Sequence, residues 1–263
     1  MENADKLRRK WQEEQLPIGC GISFSDPAIA EAMSNVLDFL FIDMEHNALS
    51  LETVQAHIMA TRGSDAAALV RVPWNDPVLI KPVLDIGADG ICVPLIRTAD
   101  DARLAVQACL YPPDGIRGFG PRRPLKYGLV KDRDYCQVAN KKIIVIVQIE
   151  HIDAVNNLDE ILAVPGVTAV LVGPNDLSGS MGLMGQTNHP DVVSAIETTV
   201  AKCHKAGVFV SIGLADNPDL LIDWVDKGMQ WILAGVDWAV LMGGILSVST
   251  RLREHFQKMD TTS

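Results

Sequence analysis

Apolar residues in this chain gather into eight short, near-continuous runs, most of them separated by amphipathic segments of helix length. The runs cover residues 18–24, 39–44, 67–72, 90–96, 143–149, 168–173, 208–213 and 231–235. Apolar and β-branched with little polar alternation, they read as strands buried on both faces, the kind that build parallel sheets. Gly63, Gly87, Pro165-Gly166, Gly207 and Gly228 stand where the intervening helices should stop. Strand–helix alternation with short connections predicts a parallel sheet, and eight repeats predict a closed α/β barrel of the (β/α)8 (TIM) type. An open doubly wound sheet is the alternative. It is weakened because the first run reads Gly19-Cys20-Gly21-Ile22-Ser23-Phe24 and carries no G-x-G-x-x-G. No linker or solenoid repeat interrupts the 263 residues, so 1–263 reads as a single barrel domain.

Two stretches depart from the alternation. Residues 111–129 are long, rich in Gly and Pro, and carry Arg117, Arg122, Arg123 and Lys126. A connection of that length predicts an ordered lid or intersubunit loop over the barrel mouth, with a solvated surface loop as the alternative. The last helix, beginning Trp238-Ala239-Val240-Leu241-Met242, is apolar nearly all round, which predicts burial against another subunit.

In such barrels chemistry sits at the C-terminal ends of the strands. The fifth run ends Val147-Gln148-Ile149-Glu150, and the sixth continues into Gly173-Pro174-Asn175-Asp176. Adjacent strands would set Glu150 and Asp176 side by side, and two hard oxygen ligands suit Mg²⁺ or Mn²⁺ better than zinc. Alternatively, each acid caps the helix that follows or makes a surface salt bridge. The second run leads to His46, the third ends at Arg71 and the seventh runs into Leu214, while Asp85 lies in the helical turn before the fourth. This inventory suits enolate chemistry on a 2-oxo acid. The metal and Arg71 would stabilise the enolate oxygen, and His46 would move a proton, with a carboxylate such as Asp85 able to set its tautomer. Taken singly, His46 could be a capped loop imidazole and Arg71 a rim salt bridge. No lysine falls within a run, which argues against imine catalysis.

Composition narrows the partners. A net charge of −10 argues against nucleic acid or an anionic membrane surface. The polar start Met1-Glu2-Asn3-Ala4 lacks a signal-peptide core, and no apolar run reaches membrane-spanning length. Five scattered cysteines without ligand spacing read as reduced, buried thiols of a cytoplasmic protein.

Six segments together resemble the HpcH/HpaI aldolases, the metal-dependent class II pyruvate aldolases. They are Phe41-Ile42-Asp43-Met44-Glu45-His46, Leu69-Val70-Arg71-Val72-Pro73, Leu84-Asp85-Ile86-Gly87-Ala88, Tyr111-Pro112-Pro113-Asp114-Gly115-Ile116-Arg117-Gly118, Val147-Gln148-Ile149-Glu150 and Val172-Gly173-Pro174-Asn175-Asp176-Leu177-Ser178. The resemblance implies an enzyme that makes or cleaves 4-hydroxy-2-oxo acids from pyruvate and an aldehyde. It also implies a hexamer, a trimer of dimers that exchange their last helices. Glu150 and Asp176 would bind Mg²⁺, Mn²⁺ or Co²⁺, Arg71 would steady the enolate oxygen, and His46 paired with Asp85 would move the proton. Gln148, Gly173, Pro174, Asn175 and Leu214 would contact substrate. Citrate-synthase-like condensation and oxaloacetate decarboxylation are alternatives that use the same enolate. Asn175 and Met44 replace the family's usual small residues, which bears on substrate scope.

Overall fold

The computed structural model describes residues 2–214 and 217–260, apart from the side chains of Arg133, Leu214, Met259 and Asp260. Eight parallel strands close into a barrel in chain order. They are β1 (Ile18–Ile22), β2 (Phe39–Asp43), β3 (Ala67–Arg71), β4 (Gly90–Val93), β5 (Ile144–Ile149), β6 (Ala169–Val172), β7 (Phe209–Leu214) and β8 (Ile232–Val236). All eight predicted runs are therefore strands. The first and fourth end early. Leu95, two residues past β4, has φ +56, a left-handed conformation that ends strand pairing.

The runs are apolar because the two faces of each strand enter different cores. Phe39, Phe41, Leu69, Cys92, Ile144, Ile146 and Leu171 fill the barrel interior. Their sequence neighbours Leu40, Ile42, Val70, Ile91, Val145, Val147 and Val170 pack outward beneath the helices. A glycine on β1 makes room for the Phe39 ring, since a Cβ on Gly19 would lie 2.3 Å from it. The floor is closed by α1 (Glu2–Gln12), whose buried Ala4, Leu7 and Trp11 join the interior cluster. Trp11 stacks on Phe209 with ring centroids 5.0 Å apart.

Surrounding the barrel are α2 (Pro27–Ser34), α3 (Leu51–Ala60), α4 (Pro77–Asp85), α5 (Ala99–Cys109), α6 (Asp132–Lys142), α7 (Ile152–Asn156), α8 (Leu158–Leu162), α9 (Pro174–Ser180), α10 (Pro190–Ala206), α11 (Pro218–Asp226) and α12 (Asp237–Asp260). Helix starts carry side-chain caps from Asp26, Ser50, Asp76, Thr98 and Asn217. Gly87, Gly207 and Gly228 take positive φ just past their helices, as the sequence predicts. Cys20, Cys92, Cys109 and Cys203 are buried and unpaired, and burial pushes the Cys109 and Cys203 thiols up to about 12. They pack as small hydrophobes.

The 111–129 segment is not a lid over its own barrel mouth. It leaves α5 at the N-terminal end of the strands and folds against the last turn of α4. Arg117 pairs with Asp85 at 2.7 Å and lies over the Tyr111 ring, and Arg123 Nη1 donates to the Ile86 carbonyl at 3.1 Å. In a barrel each helix runs back from mouth to floor, so the last turn of α4 lies at the floor.

α12 is 24 residues long, about 36 Å. It leaves the barrel with large apolar side chains uncovered: Trp238, Leu241, Ile245, Leu246, Val248, Leu252 and Phe256 are all more than half exposed.

Candidate active site

At the barrel mouth the side chains of β2, β3 and β5 converge. Asp43 and Arg71 are register partners on neighbouring strands. Arg71 Nε donates to Asp43 Oδ1 and Nη2 to Oδ2, both at 2.8 Å, a bidentate pair that fixes the guanidinium plane. Asp43 is held in turn by the Glu45 amide at 3.0 Å and the Asn47 side-chain amide at 2.8 Å. The third prong, Nη1, lies 3.1 Å from Glu45 Oε2 and 3.5 Å from Gln148 Oε1. Glu45 Oε2 is buried, and the contact with Nη1 attracts by charge without hydrogen-bond direction.

Glu150 follows β5 and is only 3 % exposed. Its Oε1 accepts from the Leu95 amide at 2.7 Å and its Oε2 from the Gln148 side-chain amide. The left-handed backbone at Leu95 is thus a local strain held at the site. Burial pushes the Glu150 carboxyl above the usual carboxylate range, with Asp176 adding to the rise and the Leu95 amide opposing it. Burial likewise raises Glu45, where Arg71 opposes and Glu150 adds. Three carboxyls therefore share one field. Asp176 is exposed in the first turn of α9, where Pro174 occupies the first helical position and Gly173 the cap. A Cβ on Gly173 would come within 2.9 Å of Glu150 Oε2, so only glycine lets β6 approach the carboxylate.

The structure brings together Arg71, Gln148, Glu150, Gly173, Pro174, Asn175 and Asp176, as the strand ends predict. His46 stands just beyond β2, its side chain mostly exposed and Nε2 3.8 Å from Glu45 Oε2. Leu214 closes β7, beside Ala234 of β8. Asp85 does not join them. It ends α4 at the floor and is engaged by Arg117, so a His46–Asp85 pair within one chain is ruled out by the direction of the helix. Asp43 and Glu45 escaped the sequence reading. Their signal was parity, since Phe39, Phe41 and Asp43 alternate onto one face of β2.

Among the described residues no three His, Cys, Asp or Glu side chains gather with metal-holding geometry. The donors that are present are all hard oxygens. Glu150 accepts one hydrogen bond at each oxygen, Asp176 has no hydrogen-bond partner among the described residues, and Glu45 Oε2 is buried without one. Surplus negative charge at a partly dry mouth fits a divalent cation.

The model of the family described as HpcH/HpaI aldolase/citrate lyase matches residues 20–242. The chain belongs to that family. It is accordingly an aldolase, a carbon–carbon lyase on the (β/α)8 scaffold. It is 38 % identical over 251 residues to a 4-hydroxy-2-oxo-heptane-1,7-dioate aldolase of Shigella sonnei, covering 95 % of both chains. To the hydroxypyruvate/pyruvate aldolase of Roseobacter denitrificans it is 33 % identical, over 94 % of this chain and 97 % of the other. The crystal structure of a family member from Burkholderia cenocepacia superposes with a TM-score of 0.88 at 32 % identity, covering 94 % of this chain and 99 % of that one.

Proposed function

We propose that this aldolase is divalent-metal-dependent and interconverts 4-hydroxy-2-oxo acids with pyruvate and an aldehyde. One observation carries the reading: the guanidinium clamped by Asp43 stands at the same mouth as the Glu150–Asp176 pair. In cleavage the 4-hydroxyl loses its proton, the C3–C4 bond breaks, and the electron pair moves through C2 onto the keto oxygen. The aldehyde leaves, and a proton is returned to C3 to give pyruvate. A divalent ion such as Mg²⁺, Mn²⁺ or Co²⁺, held by Glu150 and Asp176, would act as the Lewis acid for the keto oxygen.

The chain's own side chains supply the rest. Asp43 occupies two prongs of Arg71, which leaves Nη1, now held against Glu45 Oε2 and Gln148 Oε1, as the prong to meet the developing enolate oxygen. Gln148 spans Glu150 and the Arg71 Nη1 edge, orienting both. Pro174 cannot donate, which leaves the first-turn amides of Asn175 and Asp176 to receive the substrate carboxylate. His46 is the proton carrier, with Glu45 as its neighbour in the same chain. Asp85 could meet His46 only from another copy of the chain.

The test is exchange of the pyruvate methyl protons for deuterium, followed by NMR. Exchange is expected with Mg²⁺, Mn²⁺ or Co²⁺, lost after chelation and restored on adding metal back. Metal-stripped protein that exchanges at the full rate would refute the reading.

The uncovered α12 supports an oligomer in which this helix packs on another copy, and the family resemblance implies a hexamer with exchanged helices. Leu241→Glu with Ile245→Glu is expected to reduce the assembly to smaller species in light scattering. A wild-type protein of monomer mass would rule the assembly out.

A further inference from the structure

The Gln148 amide joins three strands at the mouth. It is almost wholly buried, and its Nε2 donates to Glu150 Oε2. Its Oε1 is met by two donors, Arg71 Nη1 at 3.5 Å and the Cys92 thiol at 3.6 Å, the latter within reach for the larger sulfur atom. Cys92 lies on β4 as the register partner of Arg71 on one side and of Ile146 on the other, one inward position below Gln148. It packs fully buried in the interior cluster. Cys20, the other buried thiol that donates among the described residues, meets only backbone carbonyls. Cys92 meets a side chain of the mouth.

The two donors differ in what the reaction asks of them. Nη1 is the Arg71 prong that would turn to the enolate oxygen, and a hydrogen directed there is withdrawn from Gln148. A buried carbonyl left without a donor is destabilised. The amide could relieve the loss by rotating, which would take Nε2 off Glu150. Cys92 stands against that rotation. Burial pushes its thiol well above the ordinary range, with Arg71 opposing and Glu150, Glu45 and Asp43 adding, so the sulfur keeps the hydrogen it donates.

We propose that Cys92 is a positioning residue whose S–H holds the Gln148 carbonyl while Arg71 Nη1 engages the enolate oxygen, keeping the Gln148 amide aimed at Glu150. It acts through Gln148, one layer beneath the mouth. The role rests on the proposed aldolase reaction.

The experiment measures pyruvate methyl exchange in the wild type, Cys92→Ala, Cys92→Val and Cys92→Ser, together with the infrared S–H stretching band. Alanine and valine both remove the donor, one losing volume and the other keeping it, whereas serine supplies a hydroxyl donor. The hydrogen bond matters most as charge develops, so its loss belongs in kcat rather than KM. A fall in kcat of about three- to tenfold is expected in Cys92→Ala and Cys92→Val, with partial recovery in Cys92→Ser. Subtracting the Cys92→Ser spectrum isolates the Cys92 band. Adding oxalate, a planar mimic of the pyruvate enolate, with Mg²⁺ is expected to shift that band to lower frequency, because S–H is then the remaining donor to Gln148 Oε1. An unshifted band would overturn the proposal. So would a kcat that follows volume instead, with valine near wild type and serine as low as alanine, since that marks Cys92 as a packing position. A wild type that exchanges no pyruvate protons would defeat the aldolase reading itself, and the Cys92 role with it.

Discussion

Replacing Glu150 by glutamine is expected to abolish both aldol cleavage and pyruvate proton exchange, with Mn²⁺ binding lost in parallel. Glutamine matches the shape of glutamate and keeps an oxygen for the Leu95 amide, so the fold should survive. What disappears is one of the two proposed charged ligands, in a pocket that already disfavours ionisation and ionises best when a cation is near. Lewis-acid stabilisation of a developing enolate is worth several kcal/mol, so the loss in kcat should reach about 10³-fold. Asp176→Asn should act in the same direction. Titration calorimetry or electron paramagnetic resonance with Mn²⁺ reads the binding directly. Unchanged Mn²⁺ affinity in both variants would remove the site assignment, whatever happened to the rate.

Arg71→Ala should be nearly as damaging, and its loss should divide into two measurable parts. The first is catalytic. A preorganised donor removed from a centre of developing negative charge costs roughly 10²–10³ in rate, and exchange and cleavage should fall together because both pass through the enolate. Arg71→Lys should restore only a fraction, since an ammonium cannot fill Asp43 with two prongs and still present a third. The second part is structural. Arg71 is largely buried, and its removal strands Asp43 and Glu45 without a countercharge, a defect of about 3–5 kcal/mol. Adding Asp43→Asn to Arg71→Ala should therefore recover much of the melting temperature and none of the activity. Recovery of activity in the double variant would mean that Arg71 acts only as scaffolding.

How much of this was legible beforehand depends on which interactions are local. Interior and exterior faces of the strands are both apolar, so the eight runs stood out, and the helix-length segments between most of them predicted the closed topology. The carboxylate at the end of β5 and the one just past β6 followed from the same rule, because parallel strands all bring their C-terminal ends to one face. Arg71 and Gln148 followed from it as well. Asp85 illustrates the limit of that reading. It lies before a strand, in the last turn of a helix running the opposite way, so its position along the chain looked close to the site while the fold put it at the floor. The reading of the 111–129 segment as a lid over its own mouth failed for the same reason, since the segment leaves α5 at the floor and is pinned there by Arg117 and Asp85.

Tertiary structure alone decided the roles within the mouth. Strand pairing between β2 and β3 made Asp43 the clamp of Arg71, a contact across 28 residues that no local pattern encodes, and turned Nη1 toward Glu45 and Gln148. Close approach of β6 to Glu150 made Gly173 a necessity. From the sequence alone came the barrel, its catalytic end and the acids on it, because those depend on periodicity and chain direction. Distances between side chains from different strands set which acid orients, which binds and where room remains, and they exist only once the barrel has closed.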